Sequence, residues 1–312
     1  MPRDTVYIAS QAWNDKLKEV LEQRLPDVNF NVVKLENASS GNTSAVANVL
    51  EITDNDLKNL QDARILITDN NLIPDFAYSL PKLQWLQGTF AGVNIPFAKL
   101  ASDLAAGRYP AFAATRFTGD SYGQLMFELC LSYIISKERG FREFQKLQPT
   151  KNWAAMKAAT PAPARILSEL KITIIGAGAI GVALSQLFKS VGCSTAGYSK
   201  SDKSEEYIAN AKFDQFSTNL DEVIVDADYV ISILPHTPQT IGFLNKRFDV
   251  CKSSPVFINL GRGSVISEDE IIRALDNGKL SLAVLDVYET EPLPTDSKLW
   301  THEKVAMTPH MA

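Results

Sequence analysis

The segment that most limits what this chain can become is a glycine-rich turn between two strand-like runs. Lys171–Ile175 reads KITII, short and β-branched, and leads directly into Gly176-Ala177-Gly178-Ala179-Ile180-Gly181. A helical pattern follows, with Ile180, Leu184, Leu187, Phe188 and Val191 on one face and Gly192 as its stop. Cys193–Tyr198 then reads as a second strand, completing a βαβ unit. In such a unit Gly176 permits the tight turn, Gly178 lets a pyrophosphate approach the backbone, and Gly181 lets helix and strand pack closely. The helix start offers free N–H groups and the positive end of its dipole to an anion. Glycines at this spacing are weak evidence alone. Set between strand, helix and strand they mark a dinucleotide site.

The rest of the chain agrees with that fold. Strand-like and helix-like segments alternate nearly throughout, which favours α/β architecture with parallel sheets. Strands are expected at Thr5–Ala9, Phe30–Leu35, Ala63–Thr68 and Leu83–Gln87, and helices at Trp13–Gln23 and Ser121–Lys137. Length suits two domains, which we divide as residues 1–112 and 113–312. Gln148 to Arg165, rich in Pro, Ala and Lys, reads as an irregular arm. A net charge of -5 gives no general reason to bind nucleic acid or an anionic membrane. No apolar run approaches the roughly 20 residues of a membrane span. The start lacks a signal peptide's basic and long apolar parts. Cys130, Cys193 and Cys251 are far apart and form no CxxC pair, so no metal site is expected. They read as buried thiols of a cytoplasmic protein.

The residue ending the second strand of the βαβ unit bears on the choice of dinucleotide. An Asp or Glu there would read the ribose 2′-OH of NAD. This chain has Ser199, then Lys200, Ser201, Asp202 and Lys203. A hydroxyl and an ammonium can bind a 2′-phosphate that a carboxylate would repel. NADP(H) is therefore the expected preference, through Ser199, Lys200 and Ser201, with NAD(H) possible; a solvated turn without preference is the plainer alternative.

Chemistry gathers at later strand ends. Ala227–Leu234 is a buried strand that ends in Pro235-His236, and Leu234 and Pro235 are assigned to the cofactor. Val256–Leu260 runs into Gly261-Arg262-Gly263, followed by a helix with a Ser267/Glu270 capping box and a stop at Gly278. Leu282–Asp286 leads to Glu291, and Val305–Met307 leads to His310. Any one of Arg262, Glu291 and His310 alone reads as an ordinary surface group. Together at strand ends they supply what reduction of a 2-oxo acid needs. A guanidinium clamps the carboxylate, an imidazole gives the proton, and a carboxylate fixes the imidazole's tautomer. The loop Gly88-Thr89-Phe90-Ala91-Gly92-Val93-Asn94, after the fourth strand, is a further candidate binding site.

IIGAGAIG, INLGRGSVI, LDVYETEPLP and MTPHMA, in this order, resemble the D-isomer-specific 2-hydroxyacid dehydrogenases over nearly the whole chain. FAGVN, GDSYGQLMFE and YSKSDKS bring it nearest to the reductase A type that acts on glyoxylate and hydroxypyruvate. The resemblance implies a flavodoxin-like substrate domain hinged to a Rossmann domain, with catalysis in the cleft and usually a homodimer joined through the cofactor domains. It implies that Arg262 binds substrate, that Glu291 pairs with the histidine, and that His310 is the general acid/base. It places Asp286 near the nicotinamide carboxamide, and Gly92 and Val93 at the substrate carboxylate. His236 is expected to be structural or to line the cofactor, His302 to be solvated and Glu289 exposed. Trp153 either lines the pocket or packs, and Trp300 anchors a domain edge. The resemblance also implies a helix after the histidine segment that completes the first domain. The sequence stops at Ala312, so that domain is expected to lack it and activity of the chain as it stands is in question. A second reading, a dinucleotide-sensing binding protein like the C-terminal-binding-protein corepressors, is separated from the enzyme by NADPH oxidation with a panel of 2-oxo acids.

Overall fold

The computed structural model describes residues 5–11, 14–37, 50–117 and 120–312. Trp13 and Gly119, used above, lie outside them. The chain forms two compact units, Met1–Thr118 and Gly119–Ala312.

The first unit is a parallel sheet of β1 (Thr5–Ala9), β2 (Asn29–Val32), β3 (Ile65–Thr68), β4 (Trp85–Gly88) and β5 (Ala113–Thr115), in the order β2-β1-β3-β4-β5. This is the flavodoxin-like order. Leu60, Leu66, Leu72, Phe76 and Leu86 form its core. Residues 113–115 were assigned above to the second domain. They pair with β4 instead, Trp85 opposite Ala113, so the first unit extends beyond 112. β5 is exposed along its whole length, so no apolar alternation announces it. β2 stops at Val32, short of the expected Leu35.

The second unit holds β6 (Lys171–Ile175), β7 (Ser194–Tyr198), β8 (Gln215–Ser217), β9 (Tyr229–Ser232), β10 (Val256–Asn259), β11 (Leu282–Leu285) and β12 (Val305–Met307). All are parallel, in the order β12-β11-β10-β9-β6-β7-β8. This is the doubly wound dinucleotide-binding order with one added strand. Successive residues of a strand face opposite sides, and both sides are packed. Tyr229 and Ile231 join Ile134, Leu184 and Phe188 on one face, while Val230 joins Phe248, Phe257 and Leu275 on the other. Burial on both faces is why β6, β9, β10 and β11 read as near-continuous apolar runs.

Two sequence readings change in detail. The arm at 148–165 contains a helix, Trp153–Ala158, started by Asn152, whose side chain accepts from Ala155 N. Arg165 ties the arm's end to Glu138 at 2.7 Å and to Asp228. The capping box at Ser267 is half made. Ser267 accepts from Glu270 N, but the Glu270 carboxylate turns to Lys246 N and Arg273. Among the described residues no helix is long and apolar enough to cross a membrane.

Candidate active site

The glycine turn sits where β6 hands over to the helix Ala179–Ser190. Gly176 N and Ala177 N donate to the Tyr198 carbonyl, tying the turn to β7. A Cβ on Gly181 would lie 2.1 Å from the Gly176 carbonyl oxygen, so no other residue fits there. At Gly178, by contrast, a Cβ would meet nothing within 4 Å. That open space lies at the start of the helix, where Gly178 is the N-cap and brings no capping side chain. The first N–H groups of Ala179, Ile180 and Gly181 lack intrahelical acceptors by the geometry of any helix start. The turn therefore fits a dinucleotide pyrophosphate.

Beyond β7, Lys200 and Ser201 are exposed and Ser199 half-buried. The Ser199 hydroxyl donates to the Ser201 carbonyl, which leaves Lys200 as the cationic group of this trio. Tyr207, which the sequence reading passed over, donates its hydroxyl to the Ala177 carbonyl at 2.9 Å. Lys203 lies over its ring, 5.2 Å from the centroid. The helix Glu205–Ala211 is thereby fastened to the glycine turn.

Because β10, β11 and β12 are neighbours and parallel, the loops after them emerge side by side. This brings Arg262, Glu291 and His310 together. His310 Nδ1 donates to Glu291 Oε2 at 2.6 Å, which leaves Nε2 as the outward nitrogen of the ring. Glu291 Oε1 accepts from Tyr288 N at 2.9 Å. Burial works to raise the Glu291 carboxyl. His310, the Tyr288 N–H and the charge of Arg262 outweigh it and hold the group below the usual carboxylate range. Arg262 is desolvated, which lowers its guanidinium from the ordinary value against the opposing charge of Glu291. Its Nη1 donates to the Gly261 carbonyl, and Asn259 holds the loop by accepting from Gly261 N and donating to the Arg262 carbonyl.

His310 itself has a left-handed backbone, φ 53°. Asp286, with no exposed surface, fixes the chain on both sides of it. Asp286 Oδ1 accepts from Thr308 Oγ1 at 2.6 Å and Met311 N at 2.9 Å, and Oδ2 from Ala312 N at 2.9 Å. The resemblance put this residue near the nicotinamide; its contacts here are to the histidine segment. The Tyr288 hydroxyl lies 2.9 Å from the carbonyls of both Leu285 and Thr308 and donates between them. Asn259, Tyr288 and Thr308 were missed by the sequence reading. Asn259 and Thr308 had a signal, a polar residue at the end of a strand-like run.

Leu234 is buried and its backbone stands against Gly261; Pro235 beside it is exposed. Gly92 and Val93 lie in the first unit, in the loop between β4 and the helix Asn94–Ala105. Of the remaining candidates, His236 Nδ1 is 2.7 Å from Ser264 Oγ. His302, expected to be solvated, instead accepts from Lys304 N through Nδ1 and meets Asp276 through Nε2. Glu289 is exposed and accepts from Glu268 N at the start of the helix Glu268–Asp276. Trp153 is exposed, and Trp300 donates to the Pro294 carbonyl. Cys130 and Cys193 are buried and Cys251 half-buried. Burial pushes the Cys193 and Cys251 thiols up to about 11.

Residues 131–312 match the family model described as D-isomer specific 2-hydroxyacid dehydrogenase, NAD binding domain. Glyoxylate/hydroxypyruvate reductase A of Serratia proteamaculans is 33% identical over 231 residues, 73% of this chain and 71% of that protein. The protein of the same name from Salmonella typhi is 34% identical over 229 residues, 71% of this chain and 68% of its own length. A D-isomer specific 2-hydroxyacid dehydrogenase family protein from Aeromonas salmonicida subsp. salmonicida superposes with a TM-score of 0.76 at 28% identity, covering 99% of this chain and 89% of that one. A probable 2-hydroxyacid dehydrogenase from Rhizobium etli, solved in complex with NADP, HEPES and L(+)-tartaric acid, superposes with a TM-score of 0.70 at 25% identity, covering 99% and 88%.

Proposed function

The chain belongs to the D-isomer specific 2-hydroxyacid dehydrogenase family and is an NAD(P)-dependent oxidoreductase, and on that premise we propose that it reduces glyoxylate or hydroxypyruvate to the 2-hydroxy acid with NADPH. The observation that carries this is the His310–Glu291 pair with Arg262 beside it, at the ends of three adjacent strands. The nicotinamide, when bound, supplies the hydride to the carbonyl carbon. His310 Nε2 gives the proton to the developing alkoxide. Glu291, held ionised, accepts from Nδ1 and so fixes the ring's orientation for transfer through Nε2. Arg262 pairs with the substrate carboxylate and polarises the ketone; in a desolvated setting its charge acts more strongly than in water. In the loop after β4, the backbone N–H groups of Gly92 and Val93 are the candidate donors to a substrate carboxylate.

Preference for NADPH rests on Ser199, Lys200 and Ser201, where a carboxylate would otherwise stand, and is supported by the NADP in the Rhizobium etli protein. The homodimer that the resemblance implies is part of this reading, and Leu125, Phe141, Trp153 and Ile166 are large apolar side chains exposed on the second unit. Sedimentation at micromolar concentration tests the homodimer, and a monomer would refute it.

NADPH oxidation with a panel of 2-oxo acids tests the activity. Glyoxylate or hydroxypyruvate should give the highest kcat/KM, and NADPH should outperform NADH. His310→Ala and Arg262→Ala should each lower kcat/KM by about 10²–10⁴-fold. Near-normal rates in either variant would remove that residue from the mechanism.

A further inference from the structure

The loop after β4 is held residue by residue from beneath. Thr89 Oγ1 donates to Asp69 Oδ1 at 2.6 Å. Asn70, the next residue, is 3% exposed and spends its whole carboxamide on the loop. Its Nδ2 donates to the carbonyls of Phe90 at 2.7 Å and Gly92 at 2.6 Å, and its Oδ1 accepts from Phe90 N at 3.2 Å. Arg116, following β5, donates through Nη1 to the intervening carbonyl of Ala91 at 2.7 Å. Three successive carbonyls, 90 to 92, are thus each fixed by a side chain.

Fixing a carbonyl also aims the next amide. A trans peptide is planar, and its N–H points opposite to its C=O. With the Phe90 and Gly92 carbonyls turned onto Asn70, the N–H groups of Ala91 and Val93 face the other way. With the Ala91 carbonyl turned onto Arg116, the N–H of Gly92 faces away from Arg116. Consecutive amides presented by a short loop form an anion-binding concavity. We propose that Asn70, assisted by Arg116, is a positioning residue that pre-builds this loop as the cradle for the substrate carboxylate. Only glycine at 88 allows it, because a Cβ there would lie 2.0 Å from Asn70 Oδ1. A cradle fixed before the ligand arrives spares the binding step the ordering of a loop. The inference rests on the proposal that this loop receives the substrate.

The experiment is a titration of the NADP⁺-saturated protein with oxamate, a non-reacting analogue of a 2-oxo acid, followed by amide NMR. Wild-type resonances of Gly92 and Val93 should shift; if they do not, the substrate reading of the loop fails. Given those shifts, Asn70→Asp keeps the shape and removes both N–H donors. It should weaken oxamate about tenfold or more and raise KM for the 2-oxo acid in step, with kcat changed about threefold or less. Affinity for NADP⁺ should be unchanged. Gly88→Ala should reproduce the effect with Asn70 intact. Wild-type oxamate affinity in a folded Asn70→Asp, or an equal loss of NADP⁺ affinity, would overturn the proposal. Should Asn70→Asp fail to fold, the exposed Arg116→Gln carries the test. It should weaken oxamate about threefold, and unchanged affinity would overturn the proposal.

Discussion

In each unit an aspartate with no exposed surface stands just past the end of an interior parallel strand: Asp69 after β3 and Asp286 after β11. Both carboxylates receive neutral donors, and both hold loops at the carboxyl edge of a sheet. Their partners differ. Asp69 takes Ser10 Oγ and Gln11 N from the end of β1 and Thr89 Oγ1 from the end of β4, so it stitches the strand ends on either side of β3. Asp286 takes Thr308 Oγ1, Met311 N and Ala312 N from a single segment and brackets the Pro309-His310 pair. The same device therefore serves a scaffold in one unit and a single side chain in the other. A buried carboxylate is tolerable in either place because enough hydrogen bonds replace its water.

That contrast can be broken by isosteric change. Asp286→Asn turns an amide against donors that need an acceptor. It should lower kcat about 100-fold, in the range lost when a general acid is misplaced, and destabilise the second unit by about 1–3 kcal/mol. A kcat within about threefold of wild type would show that the His310 turn holds itself. Asp69→Asn should cost similar stability but act on KM for the 2-oxo acid, by about tenfold, with kcat nearly kept. If both variants lost kcat alike, the scaffold and side-chain roles would not be distinct. Tyr207→Phe removes the bond to the Ala177 carbonyl and should raise KM for the cofactor about threefold, leaving KM for the 2-oxo acid alone.

The smallest effect is a pH limb. In the second unit, burial works to raise Glu138, but hydrogen bonds from Arg165 and Tyr229 outweigh it and hold the carboxyl low. Glu291 is held low in the same sense. A depressed carboxyl adds stability above its unfolded value, about 4.3, and loses it as pH falls through the folded value. Melting of the second unit should therefore drop from about pH 5 downward, and Glu138→Gln should make that drop shallower. An unchanged slope would assign the acid limb to other groups.

The strands most plainly legible in the sequence were those buried on both faces, although the edge strands β2 and β12 were read as well. KITII, the core of ADYVISIL and VFIN announced themselves because β6, β9 and β10 sit mid-sheet. β5 and β8 did not, since short edge strands with exposed or half-buried residues carry no apolar pattern. The glycine turn was readable because glycine is demanded there by geometry; Gly181 has a carbonyl where a Cβ would be. Arg262, Glu291 and His310 were found through strand ends and resemblance. Their supports, Asn259, Tyr288 and Thr308, were missed because their importance depends on which loops are neighbours. That follows from the strand order, which local pattern does not encode. His302 was misjudged for a similar reason, since its partner Asp276 is 26 positions away.

The fit between Gly88 and Asn70 has a consequence for heredity. A methyl group added at 88 evicts the carboxamide at 70, and a chain without that carboxamide has no need of glycine at 88. Selection should see the two sites as one character. Among descendants of a common ancestor they should be kept together or lost together, and a designer who wishes to re-aim the loop must rewrite both at once.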